Sequence, residues 1–178
     1  MSRYLPFSWR FVLGLFALMG VFLGGTRADA ADTVVLKYRF LRETVSVAEL
    51  TTFAETGELS PSLQAYLRMA GKEPAELRRT LTQEVPANPT LLYRVLNSPP
   101  GELLLDRASE VIHTPSNRAN RQSLRGALVS SALPNGKITL IETLQNYPTS
   151  EVHVEGDRLV EVVQRISRVT ERLPNIGR

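Results

Sequence analysis

His113 and His153 are the only histidines in the chain, and histidine is the side chain that ordinarily exchanges a proton near neutral pH. They stand 40 residues apart, and neither belongs to an H-x-x-x-H or H-E-x-x-H pair of the kind that puts two metal ligands on one helix face. With no cysteine, a zinc ribbon, an iron–sulfur cluster, a disulfide scaffold and a thiol nucleophile are excluded. A serine esterase of the nucleophile-elbow type needs G-x-S-x-G. None of Gly57, Gly71, Gly101, Gly126, Gly136 and Gly156 has a serine two residues on. Neither G-x-x-x-x-G-K-[ST] nor G-x-G-x-x-G occurs. No catalytic, cofactor-binding or metal-binding residue is therefore assigned, and no cofactor is expected.

The remaining charged groups are weaker signals. Glu73 and Glu76 bracket the start of an expected helix, where the macrodipole favours acids. Glu55 and Glu58 flank Gly57 with no evident direction. Arg118, Arg121 and Arg125 fall at i, i+3 and i+7, a basic stripe along one helix face. A solvated face is the simpler reading of that stripe; its functional reading is a site for an anionic headgroup or an acidic partner.

The chain has 178 residues, 43% hydrophobic and 22% charged, with a net charge of +3. Such an apolar share can build a core, which excludes overall disorder. The basic balance belongs largely to the N-terminus. Arg3 and Arg10 precede the apolar run of residues 11–23, and Ala28-Asp29-Ala30 follows it. Basic start, short apolar core and A-x-A site are the parts of a secretory signal peptide. The apolar run is too short for a membrane span, which needs about 20 residues. Residues 1–30 are thus expected to be removed on export to the periplasm, the thylakoid lumen or the medium. Loss of Arg3, Arg10, Arg27 and Asp29 leaves a net charge of about +1 and no tryptophan. A phosphate-binding surface requires a concentrated basic excess, so nucleic acid is not an expected partner.

The elements that position these groups are mostly helical. Residues 33–40 alternate as a strand and 44–47 return as a hairpin partner, while EVHVE at 151–155 is a second strand. Pairing the first and last strands in one small sheet would cover their edges. His153 alternates with Val152 and Val154 and is expected on the side away from the core. Between the strands lie well-punctuated helices. Ser46 and Glu49 read as a capping box, and Gly57 closes that helix. Ser60-Pro61, Pro74, Asn88-Pro89 and Ser98-Pro99 open the next four. The helix from Pro99 is expected to bury Leu104, Leu105, Val111 and Ile112 and to end near His113. Two more span 118–132 and 138–146, and a last one runs over 158–172 with Leu159, Val162, Val163, Ile166 and Val169 inward. The expected fold is mostly α: a compact multi-helix domain over residues 31–173, with a small two- or three-stranded antiparallel sheet and a tail at 174–178.

The stretch SVAELTTFAETGELSPSLQAYL at 46–67, NSPPGELLL at 97–105, HTPS at 113–116 and YPTSEVHVEG at 147–156 together resemble a cyanobacterial secreted domain of unknown function. That domain commonly precedes an α/β-hydrolase domain, and the resemblance covers residues 31–172. It implies an association with esterase- or lipase-like hydrolases whose catalytic serine lies in a separate downstream segment. No residue here matches a catalytic one. The expectation is a non-catalytic accessory domain that binds an α/β-hydrolase, another periplasmic protein or an apolar ligand. A lipid-binding module, or a hydrolase whose catalytic domain is encoded separately, are the alternatives.

Overall fold

The computed structural model describes residues 30–159. Within them the alternating run forms β1 (Thr33–Tyr38), which turns at Arg39 and Phe40 into β2 (Leu41–Ser46). The register opposes Thr33 to Ser46 and Tyr38 to Leu41. Arg39 takes φ 54°, a left-handed conformation that side chains other than Gly and Asn resist. Two contacts hold it there. Its amide donates to Asp157 Oδ2 at 2.9 Å, and its guanidinium lies over the Tyr38 ring, 5.6 Å from the centroid.

Helices α1 (Val47–Thr56), α2 (Pro61–Ala70), α3 (Pro74–Thr82), α4 (Pro89–Leu96), α5 (Pro99–Ser109), α6 (Asn120–Ala132) and α7 (Leu140–Gln145) follow. Their starts obey the capping chemistry of the sequence. Ser46 accepts from the Glu49 amide at 3.0 Å, Ser60 from Leu63 at 3.1 Å, Asn88 from Leu91 at 3.0 Å and Ser98 from Gly101 at 3.3 Å. Gly57 (φ 82°) and Gly71 (φ 64°) close α1 and α2 in the left-handed region. The Glu49 carboxylate, expected to complete a capping box, instead takes a hydrogen bond from the Ser60 hydroxyl and so ties the cap of α2 to the first turn of α1. The full box opens α7: Glu142 N–H donates to Thr139 Oγ1 at 3.2 Å and Thr139 N–H to Glu142 Oε2 at 2.9 Å.

Several helix boundaries differ from expectation; the helix expected from 138 opens at Leu140, because Lys137 and Ile138 pair as a strand. The helix from Pro99 stops at Ser109, and Ile112–His113 is strand β4. Sheet pairing outweighs the helical pattern there, because Val111 accepts from the Glu155 amide at 2.8 Å and Ile112 and His113 oppose Val154 and His153. Leu104, expected inward, is exposed. The next helix opens at Asn120, not 118, since Asn117 and Ala119 take positive φ and break the chain direction.

β6 (Glu151–Glu155) pairs parallel to β1 and antiparallel to β4, giving the order β2-β1-β6-β4. The molecule is thus mostly α with a small sheet. That sheet has four strands, not two or three, and its central pair is parallel; a parallel pair requires a long crossover, which the helices supply. β3 (Val85–Pro86) and β5 (Lys137–Ile138) form a separate two-stranded ribbon. Val34, Val45, Val152 and Val154 of the large sheet join Leu50, Phe53, Leu63, Leu81, Leu105, Leu124, Leu144 and Tyr147 in the core. A further helix opens at 156. Its expected inward residues Val162, Val163, Ile166 and Val169 lie outside the described residues, as do positions 1–29 of the expected leader and the tail at 174–178.

Candidate functional site

Among the described residues the core has a cleft at one end. There β1, β6 and the start of the last helix meet α2 and α3 around a cleft of about 80 Å³. Leu36 and Val154 come from adjacent parallel strands, Leu67 and Ala70 from the inner face of α2, Leu77 from α3 and Leu159 from the helix after Gly156. Gly156 makes a close approach there: a Cβ on it would stand 3.1 Å from the Lys37 carbonyl oxygen, tighter than an ordinary contact.

Polar groups ring this apolar wall. Lys37 Nζ lies 2.8 Å from Glu155 Oε1 and Lys72 Nζ 3.3 Å from Glu76 Oε1. Lys72 Nζ is also 5.6 Å from the Tyr38 ring centroid. Tyr66 is 5% exposed and lines the cleft from α2. Burial, with smaller contributions from Asp157, Glu43 and Tyr38, pushes its phenol up from 10.0 to about 12. Tyr66 is therefore a neutral hydroxyl over the whole physiological range.

A second polar group lies on the opposite face of the sheet. His113 and His153, expected at a helix end and on an open strand face, are both buried and face each other across β4 and β6. His113 Nδ1 stands 2.9 Å from the Thr114 carbonyl oxygen and Nε2 3.2 Å from Glu155 Oε1; His153 Nε2 stands 2.7 Å from Glu151 Oε1. His113 is part of strand β4 and not of a helix end, while His153 lies on the side away from Val152 and Val154 as expected but is buried there, because residues 112 and 113 joined the sheet beside it. Among the described residues no group of three or more His, Asp or Glu side chains is placed to hold a metal ion.

The arginine stripe is divided. Arg118 lies in the loop before α6. Arg121 donates from Nε and Nη2 to the two Asp106 oxygens at 2.9 and 2.6 Å, and its Nη1 reaches Glu102 at 3.1 Å. The Arg121 hydrogen bonds hold the Asp106 carboxyl below its ordinary value. Arg125 donates to the Leu96 carbonyl at 3.1 Å and to Glu102 at 3.4 Å. Two of the three cations thus lock α6 to α4 and α5. Of the four glutamates singled out by spacing, Glu76 alone touches the cleft.

The helix opened by Ser60-Pro61 is legible in the sequence, but the cleft beside it is not. The pattern of one helix does not tell how far the facing sheet extends. Lys37 with Glu155 and Lys72 with Tyr38 are likewise joined by the fold, since only the parallel pairing of β1 and β6 brings residues 37 and 155 into register.

Residues 30–155 match the model of a family described as alpha/beta hydrolase of unknown function (DUF1400). No curated protein and no solved structure matches the chain.

Proposed function

The chain belongs to this α/β-hydrolase family of unknown function, and from that premise we propose that it is a non-catalytic accessory domain which binds an apolar ligand. The observation that carries the reading is the cleft at one end of the core, walled by Leu36, Leu67, Ala70, Leu77, Val154 and Leu159. An apolar concavity with a few polar groups at its edge is the ordinary form of a small-molecule site. The matched span contributes a four-stranded mixed sheet and packed helices, a framework unlike the large parallel sheet that carries a nucleophile elbow. In this reading the domain stands N-terminal to, or apart from, the catalytic domain of cyanobacterial relatives and serves it as a lid or a ligand holder. The leader-like pattern of residues 1–30 supports a proposed site of work in the periplasm, the thylakoid lumen or the medium.

Native mass spectrometry of the protein extracted from its own cells tests the ligand. A bound apolar molecule displaced by cleft-filling substitutions is expected; apo protein alone under gentle extraction refutes the reading. N-terminal sequencing of the same preparation tests export, with Ala31 as the expected first residue.

A second reading, a docking domain for a hydrolase, is favoured by Leu91, Tyr93, Leu103 and Leu104. These are large apolar side chains exposed on the packed pair α4 and α5, and exposed apolar clusters of this kind mark interaction surfaces. An acidic partner approaching the neighbouring helix would meet Arg118 first, because Arg121 and Arg125 already hold carboxylates. Purification from the exported fraction with no hydrolase attached would overturn docking. Among the described residues no helix is long and apolar enough to cross a membrane.

A further inference from the structure

Among the described residues the most exposed large apolar side chain sits at the turn from β1 to β2. Phe40 is 89% exposed there, so its ring gains nothing from the fold. The turn itself is not set by local chemistry. Arg39 takes φ 54° at the first of its two central positions, where glycine is preferred. It is held from outside, by the Asp157 carboxylate on its amide and by the Tyr38 ring beneath its guanidinium. Strain imposed in this way collects at functional segments. The outcome is a fixed, convex tip that presents Phe40 outward.

Arginines surround that tip. Arg39 and Arg42 flank Phe40 and Leu41 in the chain, and both are exposed. α2 packs on β2, and the residues that follow it bring Lys72 Nζ to 5.6 Å from the centroid of the same Tyr38 ring. Arg68 and Met69, in the last turn of α2, are exposed a few residues before Lys72. Among the described residues Arg39, Arg42 and Arg68 have no carboxylate partner. The acids of this end are set back or engaged. Glu43 is half-buried, Glu76 is paired with Lys72, Asp157 accepts from the Arg39 amide, and Glu73 lies beyond Lys72 at the start of α3. One exposed aromatic ring offers on the order of 200 Å², far below the roughly 800 Å² per partner of a stable protein complex. A bilayer needs no matching concavity, and arginine stems lie along apolar surface while their heads meet phosphate.

We propose that the β1–β2 turn is a membrane-surface anchor: Phe40 enters the headgroup layer of a bilayer that contains anionic lipid, and Arg39, Arg42 and Arg68 meet its phosphates. The proposal does not depend on a ligand in the cleft. Docking of this kind is reversible and sensitive to salt.

Vesicle flotation of the full exported chain from Ala31 tests it, with vesicles of phosphatidylcholine alone and of phosphatidylcholine mixed with phosphatidylglycerol. Binding to the mixed vesicles is expected, with little to phosphatidylcholine alone and a clear loss at about 0.5 M salt. Phe40→Ser should weaken it about tenfold, and Arg42→Gln and Arg68→Gln about fivefold each. Leu133→Ser, at an exposed leucine on α6, should change nothing. Circular dichroism melts check that each variant is folded. The chain from Ala31 has no tryptophan, so emission from Phe40→Trp reports the tip alone and should shift to the blue on mixed vesicles. Absence of binding to mixed vesicles, binding that survives Phe40→Ser, or emission that stays at its aqueous wavelength overturns the proposal. A blue shift caused by protein from the exported fraction, with none on vesicles, also overturns it and assigns the tip to a protein pocket.

Discussion

The rings of His113 and His153 meet edge to face, with centroids 5.2 Å apart and planes inclined by 74°. The contact closes the β4–β6 edge of the sheet, and each ring also touches a carboxylate of β6: Glu155 for His113 and Glu151 for His153. Lys37 of β1 reaches the same Glu155 oxygen as His113. One carboxylate therefore joins three of the four strands of the sheet.

That junction predicts an acid-sensitive sheet. Partial burial works to raise the Glu155 carboxyl, but hydrogen bonds from Lys37 and His113 together outweigh it and hold the group below its ordinary 4.5. A carboxyl lowered by folding adds stability that is present above the unfolded value and is lost as pH falls through the folded one. Wild type is expected to lose stability steadily as pH drops below about 4.5. Glu155→Gln should start less stable at pH 7 and show a flatter acid limb. Urea unfolding at stepped pH checks this; parallel acid limbs for the two proteins would refute it.

Ser60 predicts a cap effect larger than that of its counterpart Ser46. Both hydroxyls accept the N3 amide of a helix, and losing such a cap ordinarily costs about 1 kcal/mol. Ser60 also donates to the Glu49 carboxylate on α1, and a hydrogen bond to a charged group is worth about 1.5–3 kcal/mol. Ser60→Ala is expected to destabilise by about 2–3 kcal/mol and Ser46→Ala by about 1 kcal/mol. Equal losses in chemical denaturation would show that the Glu49 contact adds nothing.

The contrast between these serines marks how much the sequence made legible. Helix starts at Ser46, Ser60, Asn88 and Ser98 could be read because a cap and its helix are neighbours in the chain. So could the ends at Gly57 and Gly71, where a left-handed residue is required. Glu49 was assigned to the nearest cap, its own, because nothing local announces a hydroxyl eleven residues away. Nothing local announces a partner for Arg78 either, yet it donates from Nε to the Ala54 carbonyl at 3.0 Å and from Nη2 to the Glu55 carbonyl at 2.8 Å, capping the C-terminus of α1 from α3. Ile112 and His113 continue an apolar helical pattern and become a strand only because β6 offers a ladder. Local chemistry was legible and tertiary partners were not, which is why the cleft, built from five elements drawn from both ends of the described chain, emerged only with the fold.

Tyr147 predicts a gain in stability on losing an atom. It is fully buried, and among the described residues its hydroxyl has no hydrogen-bond partner. Tyr147→Phe removes an unpaired buried donor while keeping the ring and is expected to stabilise by about 1 kcal/mol at pH 7. Burial also pushes the Tyr147 phenol up from 10.0 to about 12, as it does for Tyr66. A phenol raised by folding favours the native state fully below the unfolded value near 10 and loses that advantage as pH rises toward 12. Wild type should therefore weaken steeply between pH 10 and 12, and Tyr147→Phe should weaken less over the same interval. A variant that melts lower than wild type at pH 7 would mean that the hydroxyl is paired in solution.

Gly101 and Gly126 form a matched pair for a packing test. Both lie inside helices, where exchange of Gly for Ala ordinarily stabilises by about 0.5–1 kcal/mol. A Cβ on Gly101 would stand 1.8 Å from the Val95 carbonyl oxygen, a backbone atom of α4 that cannot move without carrying its helix. The first turn of α5 packs so closely on α4 that only a hydrogen fits, and Arg125 reinforces the same contact by donating to the adjacent Leu96 carbonyl. At Gly126, by contrast, an added Cβ meets nothing within 4 Å. Gly126→Ala is expected to raise stability by about 0.5–1 kcal/mol, and Gly101→Ala to lower it by about 3 kcal/mol or more as α4 and α5 are forced apart. Because Leu91, Tyr93, Leu103 and Leu104 ride on these two helices, Gly101→Ala should also disturb any partner that docks there. Opposite signs in the two melts support this close approach; a stabilised Gly101→Ala would show that the helices stand farther apart.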